Sequence, residues 1–426
     1  MALEKGEAWF HYLIEFPEKR IEFTEKLFFP PLQANGVPPE LLKTVLESLL
    51  LILGISYWKL YCPRQLNLGS IFLTKEQAQF WTTVYTKGLG EFFYVNKIDY
   101  RGLIEFPFSE HTEASLVVFP RQHRALLPLG GGKDSIVSAE LLKKNNTPFD
   151  VALFAKSNGS FPIHEGVLEA MEKQPLIIRR ELDPKLFVLN NQEGVYNGHV
   201  PVSAMYAFLG LFAAVLYDYR FIVLSNEKSA SYGNTEYLGE EVNHQWSKSE
   251  EFEKMFQKYV ADNITHDVEY FSLLRPLSEI KIAQIFSNYS QYFSLFSSCN
   301  RNFTIKSSSM QGKWCGQCPK CAFVFAMLSA FLFKKEVVKI FGKNLFADQA
   351  LISVYKELLG MEKFKPFECV GTPEEVRLAF ILAHKKGEYN DDVVIKMFEE
   401  ALGSEFSSIE TKKAALLPDI YEIRRI

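Results

Sequence analysis

The chain has 426 residues, of which 47% are hydrophobic and 23% are charged, and its formal net charge is −4. These values are typical of a folded protein of two or three domains, and they exclude a disordered chain. The small negative charge argues against a protein organised around nucleic-acid phosphates. No basic segment followed by an apolar one lies near Met1, and the longest apolar run, Val202 to Leu216, is too short to span a membrane. We therefore expect a cytoplasmic protein with no nucleic-acid partner and no membrane partner.

The first 115 residues are rich in phenylalanine, which the whole chain contains 37 times. The stretch Pro39 to Tyr61 has the apolar pattern of one helix, whereas Glu91 to Val95 resembles a short strand. The aromatic side chains are not interleaved with Lys and Arg, so we expect them in a core rather than on a base-stacking surface. Residues 1–115 are predicted to form an N-terminal domain of mixed α and β structure.

Residues 116–250 alternate between short apolar runs and amphipathic segments, which predicts an open parallel sheet with helical crossovers. The predicted strands are Ala125 to Leu129, Asp150 to Ala155, Leu176 to Arg180 and Phe221 to Ser225. The predicted helices are Asp134 to Lys144, Gly166 to Glu172 and Pro201 to Tyr217. Ligands of such sheets bind beyond the carboxyl ends of the strands. The polar segments 156–158 and 225–228 and the glycine-rich segment 130–132 each follow a strand and are expected to meet there.

The segment that follows the first of these strands contains three consecutive glycines and then Lys133, Asp134 and Ser135. Glycines allow backbone N–H groups to approach a phosphate, and the start of a helix adds partial positive charge. Asp134 could then hold Mg²⁺ beside a triphosphate, or it could cap the helix. The alternative interpretation is an ordinary glycine-rich turn in an open sheet.

Four of the six cysteines lie close together in sequence, at positions 299, 315, 318 and 321. In a reducing compartment this clustering predicts a metal site, and the four thiolates Cys299, Cys315, Cys318 and Cys321 suit a closed structural Zn²⁺ site. An Fe–S cluster and a turn of free cysteines are the alternatives. Cys62 and Cys369 stand alone and are predicted to be small buried hydrophobic residues. Residues 251–426 are predicted to form a mostly helical C-terminal domain that carries this cysteine knuckle at 299–321.

Two resemblances to known families sharpen these expectations. The segment GGGKDS resembles the SGGxDS loop of the PP-loop ATP pyrophosphatases, with Gly130 in place of the usual serine. The segments GHVPV, SNEKSASYGN, VNHQWSKS, VEYFSLLRPLSE and CGQCPKC resemble, in order, those of the UDP-N-acetylmuramoyl-L-alanyl-L-glutamate epimerases. The resemblance covers residues 120–330. It implies a PP-loop fold of the adenine nucleotide alpha hydrolase-like type and an ATP- and Mg²⁺-dependent isomerase of peptidoglycan precursor synthesis, without pyridoxal phosphate or flavin.

In such a reaction, AMP is transferred to the glutamate carboxylate, which makes the α-proton removable, and reprotonation on the opposite face inverts the centre. The resemblance implies that Arg275 binds a substrate carboxylate or phosphate, although a buried ion pair is the alternative. The expected nucleotide-binding residues are Gly130, Gly131, Gly132, Lys133, Ser135, Asn158 and Asn226. The expected catalytic residues are Asp134, His199, Glu227, Lys228, His244 and Lys248.

Two rival functions fit parts of the same pattern. One is a different adenylating activity of the PP-loop type, either amide synthesis or modification of a nucleobase or tRNA. The other is a nucleotide-binding protein without catalytic activity. The sequence leaves open which residue is the base, how many bases act and which oligomer forms.

Overall fold

The computed structural model describes residues 2–32, 36–111, 116–156, 162–302, 313–362, 366–405, 408–409, 412–418, 422–424 and 426. The strands are β1 (Glu7–Glu15), β2 (Arg20–Phe28), β3 (Ala125–Pro128), β4 (Phe149–Lys156), β5 (Pro175–Glu181), β6 (Phe221–Leu224), β7 (Thr235–Tyr237), β8 (Glu240–Val242) and β9 (Glu269–Ser272). The helices of the first 220 residues are α1 (Pro39–Trp58), α2 (Lys75–Gly88), α3 (Gly90–Asn96), α4 (Lys133–Lys144), α5 (Pro162–Met171), α6 (Lys185–Leu189) and α7 (Val202–Tyr217). Those that follow are α8 (Glu250–Asn263), α9 (Glu279–Phe286), α10 (Pro319–Ser329), α11 (Lys334–Phe341), α12 (Ile352–Leu358), α13 (Pro373–Lys385), α14 (Val393–Leu402) and α15 (Lys413–Leu416).

A seven-stranded sheet with the order β1-β2-β5-β4-β3-β6-β9 forms the centre of the molecule. Five strands of this sheet, β5, β4, β3, β6 and β9, run parallel to one another, which confirms the predicted α/β class. The chain winds outward from β3 to β5 and then returns to β6 beside β3, so the strand order reverses between β3 and β6. In open sheets of this kind the ligand crevice lies at that reversal. The polar segments after β3 and β6 therefore flank the expected crevice.

The hairpin of β1 and β2 is an addition that the sequence analysis did not anticipate. β2 pairs antiparallel with β5, so the sheet is mixed rather than wholly parallel. The physical effect is to cover the edge of β5, whose backbone groups would otherwise be unpaired. A second surprise is Glu91 to Val95, predicted as a strand, which lies in helix α3. Its neighbouring residues Phe92 and Phe93 are fully buried, so packing rather than β propensity determines the structure there.

The sheet separates two hydrophobic cores, and successive residues of β3 point into different ones. Leu126 packs with the N-terminal helices and α7, whereas Leu127 packs with α4, α9 and the C-terminal helices. Within the described residues, the predicted N-terminal domain therefore shares its core with the helices of the sheet that follow. Helix α1 is long and apolar enough to cross a membrane, but 61% of its most apolar window is buried inside the protein.

Candidate active site

The glycine segment forms a tight turn between β3 and α4. Gly131 has a φ of +76°, a conformation that favours glycine, and Gly132 caps the start of α4 in an extended conformation. A Cβ on Gly132 would lie 3.3 Å from Cβ of Ser298, whereas a Cβ on Gly130 would have no neighbour within 4 Å. Gly132 is therefore closely packed, whereas the space around Gly130 is open, and backbone N–H groups there can receive an anion.

Three charged residues at this turn form what we call the loop cluster: Lys133, Asp134 and Glu279. The ammonium group of Lys133 contacts both carboxylates. The side chains of Lys133 and Glu279 are only 1% and 2% exposed, whereas that of Asp134 is 24% exposed. Asp134 is thus the group of the three that a ligand can reach. The expected contact of Lys133 with phosphate stays a prediction, since its ammonium is used internally here.

Burial and neighbouring charges set the ionisation of this cluster. Burial alone would lower the pKa of Lys133, but the contacts with Asp134 and Glu279 raise it above its ordinary value. Burial alone would raise the pKa of Asp134, and Lys133, Lys320 and Lys248 together lower it. Asp134 is therefore an ionised, partly exposed carboxylate at the start of a helix. Such a group can hold a divalent cation.

The segment after β6 lies beside the loop cluster. Asn226 donates a hydrogen bond to Oγ of Ser272 at 3.0 Å, across the ends of β6 and β9. Glu227 is 5% exposed, whereas Lys228 is exposed on the surface. The charge of Glu227 acts on Glu279, so the segment 225–228 lies near the loop cluster, whereas its contact with the glycine turn stays a prediction. Ser157 and Asn158, from the third predicted loop, lie outside the described residues.

Arg275 connects several loops of the site rather than extending into open space. Its terminal nitrogens donate to the carbonyl oxygens of Glu227 at 2.8 Å and Lys248 at 2.7 Å, and to the carboxylate of Glu253 at 2.8 Å. Its predicted contact with substrate is not tested by this arrangement. The contacts do show what Arg275 holds in place, namely the backbone of two candidate catalytic residues.

A second group, which we call the thiolate cluster, consists of Glu91, His199, His244, Lys248 and Cys369. Nδ1 of His244 contacts the carboxylate of Glu91, and Nδ1 of His199 lies 3.4 Å from the same carboxylate. The two imidazole centroids are 4.7 Å apart. Nζ of Lys248 donates to Sγ of Cys369 at 3.2 Å, and the His244 side chain also hydrogen-bonds to Cys369.

The two histidines of this cluster differ in charge. Burial, followed by the neighbouring His244 cation, lowers the pKa of His199 to about 4. Burial acts the same way on His244, but hydrogen bonds to Cys369 and Glu91 outweigh it and raise its pKa to about 9. At neutral pH His199 is therefore neutral and His244 is an imidazolium. A neutral imidazole can accept a proton and an imidazolium can donate one, so we interpret these groups as carriers of protons.

The N-terminal helices position this cluster. Glu91 lies in the first turn of α3, and Nζ of Lys59, just after α1, donates to the carbonyl of Gly198 at 2.8 Å. Asn96, at the end of α3, donates to the carbonyl of Asn197 at 3.1 Å. The aromatic-rich first 100 residues thus hold the segment that carries His199, in addition to packing against the sheet.

Asn234 and Asn243 hold the segment that carries His244. The amide N–H of His244 donates to Oδ1 of Asn234 at 2.9 Å, and the Asn243 side chain donates to the carbonyl of Ala230 at 3.0 Å. The short hairpin of β7 and β8 joins these two asparagines. The polar segments 225–234 and 242–249 are thus one folded unit rather than two solvated loops.

Lys320 connects the two clusters. Its ammonium contacts the carbonyl oxygen of Cys369 and lies 3.8 Å from the carboxylate of Glu279. The backbone N–H of Glu279 donates to Glu375, at the start of α13, at 2.6 Å. The glycine turn, helix α9 and the C-terminal helices are therefore joined through buried polar contacts.

The four clustered cysteines fit a metal ion. Their sulfur atoms all lie within 4.8 Å of one another, with Cys299 and Cys318 at 4.0 Å and Cys315 and Cys321 at 3.6 Å. Four thiolates around Zn²⁺ at about 2.3 Å would lie about 3.8 Å apart. The donor set and its spacing thus suit a closed tetrahedral site, although metal identity stays a prediction.

Several residues of the site were missed in the sequence, and one prediction about it was wrong. Cys369 was predicted to be a small buried hydrophobic residue, but it contacts Lys248, His244 and, through its carbonyl, Lys320. Glu279 is the last residue of the segment VEYFSLLRPLSE, and Lys320 lies between two of the clustered cysteines, so the sequence contained a weak signal for both. Glu91 and Cys369 had none, because only the fold brings them to the site.

Comparison with known proteins gives consistent relatives over most of the chain. Residues 1–273 match the MurL N-terminal domain, and residues 295–413 match the MurL C-terminal domain. Three relatives are named UDP-N-acetyl-alpha-D-muramoyl-L-alanyl-L-glutamate epimerase. The one from Xanthomonas oryzae pv. oryzae is 39% identical over 379 residues, which is 88% of this chain and 83% of the relative.

The other two relatives cover still more of the chain. The Micromonospora sp. protein is 39% identical over 94% of this chain and 88% of its own length. The Salinispora tropica protein is 37% identical over 94% of this chain and 86% of its own length. The two matched domains together include the four clustered cysteines and every residue of both clusters except Glu279, which lies between the two matched ranges. The chain belongs to the MurL family.

Proposed function

We propose that this protein is an ATP-dependent epimerase that inverts the terminal L-glutamate of UDP-N-acetylmuramoyl-L-alanyl-L-glutamate, a peptidoglycan precursor. The observation that carries the proposal is the direct connection of the loop cluster to the thiolate cluster through Lys320. One cluster suits phosphate and cation binding, and the other suits proton transfer. The names of the relatives support the substrate and the inversion.

The first chemical step is transfer of AMP to the glutamate carboxylate, with release of diphosphate. The Cα–H bond next to a carboxylate resists deprotonation, because the resulting carbanion lies beside a negative charge. Conversion to a mixed anhydride removes that charge and lets the electron pair move onto the acyl oxygen. The glycine turn would bind the phosphates, and Asp134 would hold Mg²⁺, which supplies positive charge to the triphosphate.

The second step exchanges the proton on Cα. The thiolate cluster supplies both proton acceptors and protonated donors within one half-buried region. Lys248 and the imidazolium of His244 place positive charge where the enolate-like intermediate develops negative charge. Hydrolysis of the anhydride then releases AMP and the D-glutamyl product.

The cysteine cluster has a structural role in this proposal. Cys299, Cys315, Cys318 and Cys321 would hold Zn²⁺ with no coordination position left for substrate. Cys318 also caps the start of α10, so the metal fixes the helix that carries Lys320. Reduced cysteines of this kind persist in a reducing compartment, which supports a cytoplasmic location.

The test is incubation of the purified protein with the substrate, ATP and Mg²⁺ in D₂O. We expect stoichiometric AMP and diphosphate, D-glutamate after hydrolysis of the product, and one deuterium at Cα. A matched incubation without ATP should give neither inversion nor label. Release of diphosphate with unlabelled L-glutamate would overturn the epimerase proposal, and formation of an amide in the presence of ammonium would favour a ligase.

A further inference from the structure

Cys369 occupies the centre of the thiolate cluster, although no motif marks it in the sequence. Its sulfur accepts a hydrogen bond from Lys248 at 3.2 Å and is also hydrogen-bonded to His244. Its carbonyl is held by Lys320. The thiol is thus held at both its side chain and its backbone, as expected of a group whose position matters.

The segment that carries Cys369 is fixed on both sides. The side-chain amide of Asn234 donates to the carbonyl of Pro366 at 2.7 Å, and the ring of Phe367 lies 5.5 Å from that of Tyr94. The side chain of Asn300, which follows Cys299 of the cysteine knuckle, contacts the carboxylate of Glu368. The contacts come from the N-terminal helices, the β7–β8 hairpin and the cysteine knuckle, so three parts of the chain fix this segment.

The charges that face the sulfur are mostly positive. Lys248, His244 and Lys320 supply cations, whereas Glu368 is the neighbouring acid. Burial would raise the pKa of the Cys369 thiol, but Lys248, His244 and Lys320 outweigh it and lower the pKa to about 5. Burial and the charge on Cys369 raise the pKa of Glu368 to about 7. These effects agree with the contacts in making Cys369 a thiolate.

We propose that the thiolate of Cys369 is the base that removes the Cα proton of the adenylated glutamyl residue. This inference rests on the proposed function and assigns the residue that the sequence left open. The Cα–H bond breaks, the proton forms the S–H bond, and the electron pair moves into the acyl group to give an enolate oxygen. The opposite face of Cα then receives a solvent-exchangeable proton from a donor across Cα, because Lys248 and His244 are hydrogen-bonded to the sulfur and therefore lie on the face of the base.

Other members of the thiolate cluster are less suited to this role. Lys248 and His244 are protonated at neutral pH, because the nearby anions raise their pKa values above the ordinary ones. His199 is neutral, but its Nδ1 is directed toward Glu91. Cys369 combines an available electron pair with two adjacent cations, Lys248 and His244, that keep the sulfur ionised and so able to accept a proton.

The test separates adenylation from proton exchange in Cys369→Ser. Adenylation is measured as substrate-dependent exchange of labelled diphosphate into ATP, and proton exchange as deuterium uptake at Cα in D₂O. We expect diphosphate exchange within about threefold of wild type and a loss of at least about 100-fold in deuterium uptake. Retained adenylation also shows that the variant is folded. Deuterium uptake at the wild-type rate would overturn the proposal.

Cys62→Ser is the control, because Cys62 is a thiol outside the cluster whose pKa burial raises to about 12, whereas Cys369 is only half-buried. We expect both activities to stay unchanged in it. A wild-type protein that shows no diphosphate exchange would instead contradict the proposed function. Mass spectrometry of wild type quenched during turnover should find no glutamyl adduct on Cys369. A hydroxylamine-sensitive adduct would show that Cys369 acts as a nucleophile rather than as a base, and it would overturn the assignment.

Discussion

The loop cluster and the thiolate cluster are built in opposite ways. Two of the three members of the loop cluster, Lys133 and Asp134, are adjacent in sequence, and β3 and α4 fix their positions locally, whereas Glu279 comes from α9. Glu91, His199, His244 and Cys369 are spread over 279 residues, and each lies on a different segment. In the proposed reaction, activation of the carboxylate would depend mainly on a local motif, whereas proton transfer would depend on the packing of distant segments. Substitutions in the two clusters should therefore fail at different steps.

The largest effect is expected for Asp134→Asn in the loop cluster. It removes the exposed anion that would hold the cation, so adenylation and inversion should both fall by about 1,000-fold or more. Release of diphosphate and deuterium uptake at Cα measure the two steps. Glu140→Gln, on the same helix, is the control and should retain both. If Asp134→Asn lost deuterium uptake alone, the division of labour between the clusters would be wrong.

A somewhat smaller effect, confined to one step, is expected for Lys248→Met in the thiolate cluster. Loss of the ammonium removes the closest cation from the Cys369 sulfur, so the pKa of the thiol should rise and deuterium uptake should fall by about 100-fold. Diphosphate exchange should change by less than about threefold. Lys254→Met, which removes a surface cation of the following helix, serves as the control. Equal losses in both assays would contradict the comparison.

Loss of the metal should affect both clusters to a similar extent. Cys318→Ser should leave less than one Zn²⁺ per chain and lower the melting temperature by several degrees, because α10 loses its anchor. Lys320 follows Cys318 by two residues and contacts both clusters, so the rates of adenylation and of proton exchange should each fall by about tenfold. Metal analysis and calorimetry test the first expectation, and the two assays test the second. Wild-type metal content in Cys318→Ser would exclude Cys318 as a ligand.

The smallest effect concerns stability rather than turnover. The pKa of His199 is about 4 in the folded protein and about 6.5 in the unfolded chain, so the unfolded state gains a proton first as the pH falls. The contribution of His199 to the free energy of unfolding is therefore fully present above pH 6.5, and about 3 kcal/mol of it is lost as the pH falls to 4. His199→Gln should unfold with a weaker dependence on pH over this interval in denaturant titrations. An unchanged dependence would show that His199 is not neutral in the fold.

The central part of the fold could be predicted from the sequence because its signals are local. The strands and helices of residues 125–225 agree with β3 to β6 and with α4, α5 and α7 to within a few residues. The hairpin of β1 and β2 could not be assigned to this sheet, because its partner β5 is about 150 residues away. Helix α3 was predicted as a strand, since the aromatic residues Phe92 and Phe93 favour strands but pack here in a helix.

The residues of the candidate site divide in the same way, into those with local sequence signals and those that only the fold brings together. The glycine turn and the four cysteines are continuous or closely spaced, so both could be singled out as candidate sites from residue types alone. His199, His244 and Lys248 were found through a resemblance rather than through spacing. Cys369 and Glu91 could not be found, because a lone thiol or carboxylate acquires its special ionisation only from neighbours that the fold supplies.

The position of Glu279 between Lys133 and Lys320 has a consequence for recombination between relatives. Exchange of the glycine turn for one that lacks a lysine at position 133 would leave the buried carboxylate of Glu279 without its closest cation, and a buried unpaired charge is costly. Viable chimeras should therefore inherit the turn, the start of α9 and the start of α10 together. Crossovers that keep these three segments from one parent should yield folded proteins far more often than crossovers that divide them.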